Sequence, residues 1–322
     1  MCLSLVDRTP SILRGYRDVF KRPSMMTVAL ALFFVTARTH AGEIEPRSYV
    51  NTPVGINFLL AGYSYSQGGL STVSSSPLED AKLDIHYGVL AYARSVDIWG
   101  KSGKIDLILP YADLSGSAMV ADQPQERKVS GLTDPRFRCS VNFYGAPALS
   151  LPEFSKYNQE LIIGASVQVS APLGQYDEGK LVNLGNNRWF FKPDIGISKA
   201  WGDFVVELSS GIFFFTENDD FFGGRKMKQD PIYTSQIHIT QSFAHGIWAA
   251  VSVTYDYDGR TTVDDVENND LQQNSRVGAT LAVPLNRKNS IKLYGSTGIH
   301  TSVGSDYDMA GIVWQHRWGN GL

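Results

Sequence analysis

Charged side chains at alternate positions are the residues of this sequence whose types and spacing could do chemistry. Arg136 and Arg138 are two positions apart, as are Lys192 and Asp194. In a β-strand, residues two positions apart point to the same face. Charges of both signs on one such face can line a polar pathway for a solute, or they can pair with each other in a purely structural network.

A second pattern concerns hydrolysis. His300 and Ser302 would share one face of a strand, and a base beside a hydroxyl can activate it as a nucleophile. The sequence offers no suitably spaced Asn or Asp to orient that base, and it has no phosphate-binding glycine loop, nucleophile elbow or clustered metal ligands. We therefore expect no enzyme activity and no cofactor.

A third pattern is a concentration of carboxylates in segments 216–220 and 256–270. Oxygen ligands of this kind suit Ca²⁺ or Mg²⁺, so Asp264, Asp265 and Glu267 are weak candidates for a metal site. Their spacing does not match the EF-hand pattern, which favours a solvated loop over a metal site.

The elements that would position these residues are strands. In segment 161–174, LIIGASVQVSAPLG, Leu161, Ile163 and Val167 fall on one parity and Gln168 falls on the other. This period of two is typical of a strand with one apolar face. In a soluble sandwich the apolar face packs inward, whereas in an outer-membrane barrel it faces lipid and the polar face lines the lumen. The segment alone is compatible with both.

Connections between the strands decide between these two folds. Short turns alternate along the chain with long loops, apart from a moderately long connection at 145–159 and a short last one at 303–306. A soluble sandwich predicts no such asymmetry. Aromatic residues at many strand ends are typical of interfacial girdles. We therefore predict an all-β, transmembrane antiparallel β-barrel of about 12 strands with short periplasmic turns and long extracellular loops. The long loops are expected at 66–81, 114–133, 173–187, 217–230 and 259–274. The strands are expected at 55–65, 82–94, 105–111, 136–143, 161–174, 189–199, 204–215, 232–243, 247–257, 276–285, 291–301 and 307–318.

The first residues of the chain predict export. Residues 25–37 form an uninterrupted hydrophobic segment that is too short for a transmembrane helix, and Arg and Lys residues precede it. Small residues up to Ala41 suit a signal peptidase, so residues 1–41 are predicted to be a signal peptide with a long charged n-region. Residues 42–322 would then form a single barrel, with Cys139 as its one cysteine. A net charge of -3 without a basic cluster argues against nucleic acid as a partner.

This alternation assigns a set of polar residues to the lumen. A barrel of about 12 strands encloses more room than the eight-stranded kind that side chains fill, so both a restricted channel and a plugged lumen are compatible with the sequence. The candidates are Asp84, His86, Asp106, Arg136, Arg138, Glu160, Gln168, Lys192, Asp194, Glu207, Arg276, Lys292 and His300.

Five phrases of the sequence resemble a known family. They are LPYADLSG (109–116), SGLTDPRF (130–137), SAPLGQYD (170–177), NLGNNRWFFKPDIGISK (183–199) and WQHRW (314–318). With them the chain is similar, over about 45–318, to the outer-membrane transporter family of the phenol-degradation meta pathway. The resemblance implies an outer-membrane barrel that passes aromatic or other hydrophobic compounds.

These observations together lead to one expected function and two alternatives. We expect a passive outer-membrane channel for small hydrophobic or aromatic compounds. The alternatives are a structural or surface-interaction barrel with a sealed lumen, and a lipid-modifying outer-membrane enzyme. The expected partners are outer-membrane lipid and lipopolysaccharide, the barrel-insertion machinery and the solute.

Overall fold

The computed structural model describes residues 44–71, 78–120, 123–180 and 182–319. The predicted signal peptide, residues 1–41, lies outside the described residues. Within those four ranges, no helix is long and apolar enough to cross a membrane. The helix is α1 (Leu151–Phe154), and the strands are β1 (Ile56–Ser71), β2 (Leu78–Ile98), β3 (Lys101–Val120), β4 (Gln123–Leu132), β5 (Arg136–Tyr144), β6 (Leu161–Ser170), β7 (Phe190–Trp201), β8 (Phe204–Phe215), β9 (Asn218–Phe221), β10 (Arg225–Gln229), β11 (Ile232–Ser242), β12 (Trp248–Asp258), β13 (Thr261–Val263), β14 (Val266–Glu267), β15 (Gln272–Pro284), β16 (Asn289–His300) and β17 (Gly304–Gly319).

Antiparallel pairing closes the main sheet into a barrel. The order runs β2-β1-β17-β16-β15-β12-β11-β8-β7-β6-β5-β3, and β2 also pairs with β3. Strand β4 pairs with residues 111–120 of β3, and strand β5 pairs with residues 103–108 of β3. Strands β4 and β5 therefore occupy a single strand position of the barrel, next to β3. The described residues therefore form a closed antiparallel barrel with 12 strand positions, which confirms the predicted fold.

The connections have the predicted asymmetry, except that residues 145–160 make a long connection between β5 and β6 and residues 301–303 make a short one between β16 and β17. The turn between β2 and β3 is only Trp99 and Gly100, whose positive φ angles of 52° and 75° suit a tight hairpin turn. The long loops differ from the prediction in two respects. The loop predicted at 114–133 is instead mostly strand, because β3 continues to Val120 and β4 begins at Gln123. Two other long loops contain β9, β10, β13 and β14, which form a separate four-stranded sheet beyond the barrel's strands. We refer to this end as the extracellular end.

The outer face of the barrel is apolar. On β3, Leu107 and Leu109 are 42% and 41% exposed, whereas Asp106, on the opposite parity, is buried. On β6, Val167 is exposed and Gln168 is buried, so the polar side of segment 161–174 faces inward. An exposed apolar surface that continues from strand to strand is stable only against lipid, so this is an outer-membrane barrel.

Strand β2 has the opposite orientation to the predicted one. Its residue His86 hydrogen-bonds Tyr63 on the outer face at 2.6 Å, and Tyr65 donates to Asp84 at 2.5 Å. Leu90, on the same parity, is 49% exposed. The prediction that Asp84 and His86 line the lumen is therefore wrong. The apolar parity of β2, which was taken to face lipid, faces the interior.

Candidate functional site inside the barrel

The N-terminal segment 44–55 lies inside the barrel, ahead of β1. Its Tyr49 is 3% exposed, and the Tyr49 hydroxyl donates a hydrogen bond to Asp194 of β7. The backbone N–H of Tyr49 donates to Glu207 of β8 at 3.3 Å, and Lys104 of β3 donates to the Ser48 carbonyl at 2.6 Å. The segment is thus held by three strands of the wall. Its place inside the barrel was not predicted from the sequence.

Two inward-facing glycines make room for the Tyr49 ring. A Cβ atom on Gly196 would lie 2.1 Å from Cε2 of Tyr49, and one on Gly164 would lie 2.6 Å from Cδ1. Real Cβ atoms do not approach other atoms this closely, so the absence of side chains at Gly164 and Gly196 is what allows the ring to pack on β6 and β7. Neighbouring strands therefore form a recess for one aromatic side chain.

Charges fix the start of the segment. Arg138 of β5 forms ion pairs with Glu45 and, at 2.8 Å, with Asp106 of β3. Burial raises the pKa of Glu45, but the charge of Arg138 and its hydrogen bond outweigh burial and hold this pKa at about 2. Glu45 is therefore ionised at neutral pH, and Arg138 joins the segment to the wall.

Many of the predicted lumen residues meet around this segment. Arg138, Gln168, Lys192, Asp194 and Glu207 line a cavity of about 40 Å³ together with Glu45 and Tyr49. A water molecule needs about 10–15 Å³ of such space, so only a few waters fit at this level. Several further lining residues were not predicted, among them Lys104 of β3 and also Gln236 and His238, which lie on the polar parity of β11.

Other predicted lumen residues lie elsewhere on the inner face. Arg276 of β15 is 1% exposed, and it donates to the Ser296 hydroxyl at 2.9 Å and lies over the Tyr307 ring. Lys292 of β16 lies over the ring of Trp248. Arg136 of β5 pairs with Ser170, which is buried.

Two predicted lumen residues lie at strand ends. Glu160 is exposed just before β6, and His300 is exposed at the last position of β16. Ser302 does not resemble an activated nucleophile, because its hydroxyl donates to the Leu271 carbonyl at 3.0 Å and accepts the Gln273 N–H at 2.6 Å. The Ser302 hydroxyl therefore joins the β16–β17 connection to the start of β15.

Two of the weak metal candidates pair with cationic side chains of the chain itself, and the third accepts a backbone N–H. Asp265 is 3.6 Å from Lys228, and Glu267 pairs with Arg260 at 3.0 Å. Asp264 accepts the backbone N–H of Lys226 at 3.0 Å. Among the described residues, no group of three or more metal-ligating side chains is present. These carboxylates therefore contact neighbouring groups of the extracellular sheet.

One part of the inner wall is apolar. Tyr87 of β2 pairs with Ser64, which is 5% exposed and faces inward, so Tyr87 and Val89 point into the barrel. On β3, Ala112 and Leu114 are 0% and 3% exposed. The lumen therefore presents an apolar surface on β2 and on residues 110–114 of β3, and a charged surface on Lys104 and Asp106 of β3 and on β5, β7 and β8.

Two larger cavities lie toward the two ends of the barrel. One of about 210 Å³ includes Phe213 and Phe215, near the extracellular end of β8. Another of about 380 Å³ includes Arg47 of the segment and Pro284, at the opposite end of the barrel. The segment thus lies between two spaces, each larger than the one around Tyr49.

Comparison with known proteins agrees with this fold. A family model described as "Putative MetA-pathway of phenol degradation" matches residues 63–314. Among solved structures, the COG4313 outer membrane channel from Pseudomonas putida F1 is 20% identical, with a TM-score of 0.74, over 86% of this chain and 100% of that one. The transport unit of the autotransporter AIDA-I from Escherichia coli is 9% identical, with a TM-score of 0.49, over 90% and 95%.

A third solved structure is titled CymD monoaromatic hydrocarbon channel. It is 7% identical, with a TM-score of 0.41, over 84% of this chain and 90% of that one. Among curated proteins, the sequence search finds no match. The similarity to the COG4313 channel supports the outer-membrane barrel fold.

Proposed function

Because this chain belongs to the family described as "Putative MetA-pathway of phenol degradation", we propose that it is a passive outer-membrane channel for small aromatic or other hydrophobic compounds. The observation that carries the proposal is the apolar inner wall formed by Tyr87, Val89, Ala112 and Leu114. A water-filled porin for polar solutes has a polar interior, so apolar side chains along the inner wall favour a less polar cargo.

The N-terminal segment sets the rate of passage in this proposal. A solute enters the extracellular cavity, follows the apolar wall and is stopped at Tyr49, where only about 40 Å³ is open. Passage requires the segment to move aside, and the concentration gradient alone drives it. The contacts of Tyr49 with Asp194 and Glu207 are the bonds that must break.

The alternative of a sealed barrel rests on the same constriction. If the segment never moves, the small cavity around Tyr49 closes the lumen permanently. The partners remain proposals as well: outer-membrane lipid and lipopolysaccharide around the apolar outer face, and the barrel-insertion machinery during assembly. We propose no enzyme activity, because the Ser302 hydroxyl is bonded to backbone groups.

The experiment that tests the proposal is uptake into vesicles with lipopolysaccharide in the outer leaflet. The rates for benzyl alcohol and for a small sugar are measured with the refolded barrel and corrected for protein-free vesicles. We expect selective entry of benzyl alcohol into vesicles that contain the wild-type barrel. Its rate of entry should be several-fold slower in the double variant Ile85→Thr, Val89→Thr, which makes the inner wall of β2 polar. Gly88→Ala is the matched control, because a Cβ there contacts nothing within 4 Å. Entry of neither solute would support the sealed barrel.

A further inference from the structure

A cavity of about 210 Å³ lies inside the extracellular end of the barrel. It is separate from the site around Tyr49, and its volume is below the 300–1,000 Å³ typical of pockets for drug-sized ligands, so it suits a single substituted ring. It is lined by Asn186, Arg188, Phe190, Phe213, Phe215, Ile232, Asp256 and Gln272.

Three phenylalanines give this cavity an aromatic wall. The rings of Phe190 and Phe213 are 5.4 Å apart and meet edge to face at 69°. Phe213 and Phe215 are parallel within 6°, with centroids 6.2 Å apart. Both Phe213 and Phe215 are on the inward parity of β8, which also carries Glu207. Aromatic faces and edges arranged in this way favour a further aromatic ring.

Arg188 supplies a buried positive charge beside these rings. Its guanidinium lies 4.3 Å from the centre of the Phe215 ring, and the residue is 9% exposed. One nitrogen, Nη2, donates to Gln229, but Nε and Nη1 are buried without a hydrogen-bond partner in the described part of the chain. Burial lowers the pKa of Arg188 to about 10, so the group still carries its charge at neutral pH.

A buried guanidinium with two unused donors is a site for an anion. Leaving such donors without a partner costs free energy, and a carboxylate can accept a charge-assisted hydrogen bond from Nε or from Nη1. Asp256 lines the same cavity, is 7% exposed, and has a buried Oδ1 without a hydrogen-bond partner among the described residues. This oxygen can accept a hydrogen bond from a hydroxyl group.

We propose that this cavity binds an aromatic carboxylate that bears a ring hydroxyl. Arg188 binds the carboxylate, the phenylalanines contact the ring, and Asp256 accepts a hydrogen bond from the hydroxyl group. The inference rests on the proposed channel function and names its substrate class. Lys192 continues the path inward, because its Nζ lies 4.9 Å from the Phe213 ring centre and it also lines the cavity around Tyr49. A carboxylate that leaves Arg188 therefore meets a second cation next to the constriction.

The test is equilibrium binding to the detergent-solubilised full barrel by isothermal titration calorimetry. We expect 4-hydroxybenzoate to bind most tightly, benzoate more weakly and benzyl alcohol at least tenfold more weakly than benzoate. Arg188→Gln is expected to lower the affinity for both carboxylates at least tenfold and to leave benzyl alcohol unchanged. Asp256→Ala, which has no side-chain acceptor, is expected to remove the advantage of 4-hydroxybenzoate over benzoate.

The matched control is Arg225→Gln. Arg225 also lies over aromatic rings, those of Phe221 and Phe222, but it is exposed in the extracellular sheet. Equal affinity of the wild-type barrel for benzoate and benzyl alcohol would overturn the proposal, and this comparison needs no variant to fold. Equal losses in Arg188→Gln and Arg225→Gln would also overturn it.

This assay is independent of transport. If benzyl alcohol enters vesicles but the carboxylates do not bind through Arg188, the inference fails and the channel function stands. If the carboxylates bind as expected but no solute enters, the binding site stands and the channel function fails. The two outcomes are therefore distinguishable.

Discussion

Glu45 forms an ion pair with Arg138, a residue 93 positions later in the chain, and Arg138 in turn pairs with Asp106 on the adjacent strand. Asp106 is buried and Arg138 and Glu45 are partly buried, so removing one partner leaves a charge that is only partly compensated by water, which is unfavourable. The N-terminal segment is therefore fixed to the barrel wall by this triad at one point and by the Tyr49 ring at another. Whether the lumen is open depends on a small number of contacts.

The recess for Tyr49 can be filled by a single methyl group. In Gly196→Ala, the new Cβ would overlap the Tyr49 ring, so the ring must leave the recess and its hydrogen bond to Asp194 is lost. We expect the single-channel conductance in planar bilayers to rise several-fold. The barrel should still fold, because alanine fits the backbone of a strand better than glycine does.

Gly88→Ala is the control for this substitution. It is the same chemical change on another barrel strand, but the new Cβ meets nothing within 4 Å. Its conductance should equal that of the wild type. Equal conductance of all three proteins would mean that the Tyr49 ring does not close the lumen.

The ion pair of Glu45 predicts a dependence of closure on pH. Its pKa in the docked segment is about 2, below the ordinary 4.5, so docking is favoured by ionisation. A group with a lowered pKa stabilises the docked state above its ordinary pKa, and this contribution is lost as the pH falls from about 4.5 to about 2. We expect the conductance of the wild-type barrel to increase over this range.

Glu45→Gln removes this titration and separates it from that of other carboxylates. The variant should conduct more than the wild type at pH 7 and should lose the part of the pH response that comes from Glu45. Glu160→Gln, an exposed glutamate outside the cavity, should behave as the wild type does. An identical pH response in wild type and Glu45→Gln would show that the pair with Arg138 does not control closure.

The alternation of apolar and polar residues along the strands was sufficient to predict the barrel, but it gave the wrong orientation for β2. Lipid requires an apolar outer face on every strand, so parity identifies that face correctly on β3 and β6. On β2 both parities carry apolar residues, such as Val89 facing inward and Leu90 facing outward. The lumen does not have to be polar everywhere, and the rule that the more apolar parity faces lipid fails where the inner wall is itself apolar.

The site around Tyr49 could not be predicted from periodicity. Segment 44–55 has no strand or helix pattern, and its contacts reach residues 145 and 158 positions away, Asp194 and Glu207. One signal was present in the sequence: Gly164 and Gly196 occupy the inward parity of two adjacent strands. Inward glycines opposite each other in a sheet indicate that another part of the chain approaches closely.

From the contacts of the extracellular carboxylates we predict that the order of the extracellular sheet is insensitive to removal of divalent cations. Asp265 and Glu267 pair with Lys228 and Arg260 at exposed positions, so their order does not require a divalent cation. We expect EDTA to leave hydrogen exchange in 216–230 and 259–271 unchanged, and 1 M salt to accelerate it, because exposed ion pairs contribute at most about 1 kcal/mol and are screened. Faster exchange with EDTA alone would restore a metal site at these loops.

The orientation of β2 can be tested by placing the same charge on its two faces. Leu90 is 49% exposed on the outer face, whereas its neighbour Ala91 pairs with Leu60 and Ile108 on the inner one. Arginine on the lipid face costs about 2–4 kcal/mol near the middle of the bilayer, whereas lumen positions tolerate charge. The free energy of unfolding in phospholipid vesicles, from urea titration, should therefore fall by about this amount in Leu90→Arg and by less in Ala91→Arg. Leu109→Arg, on the outer face of β3, should resemble Leu90→Arg. If Ala91→Arg proved the more damaging of the β2 pair, then Asp84 and His86 would face the lumen and the apolar inner wall would be lost.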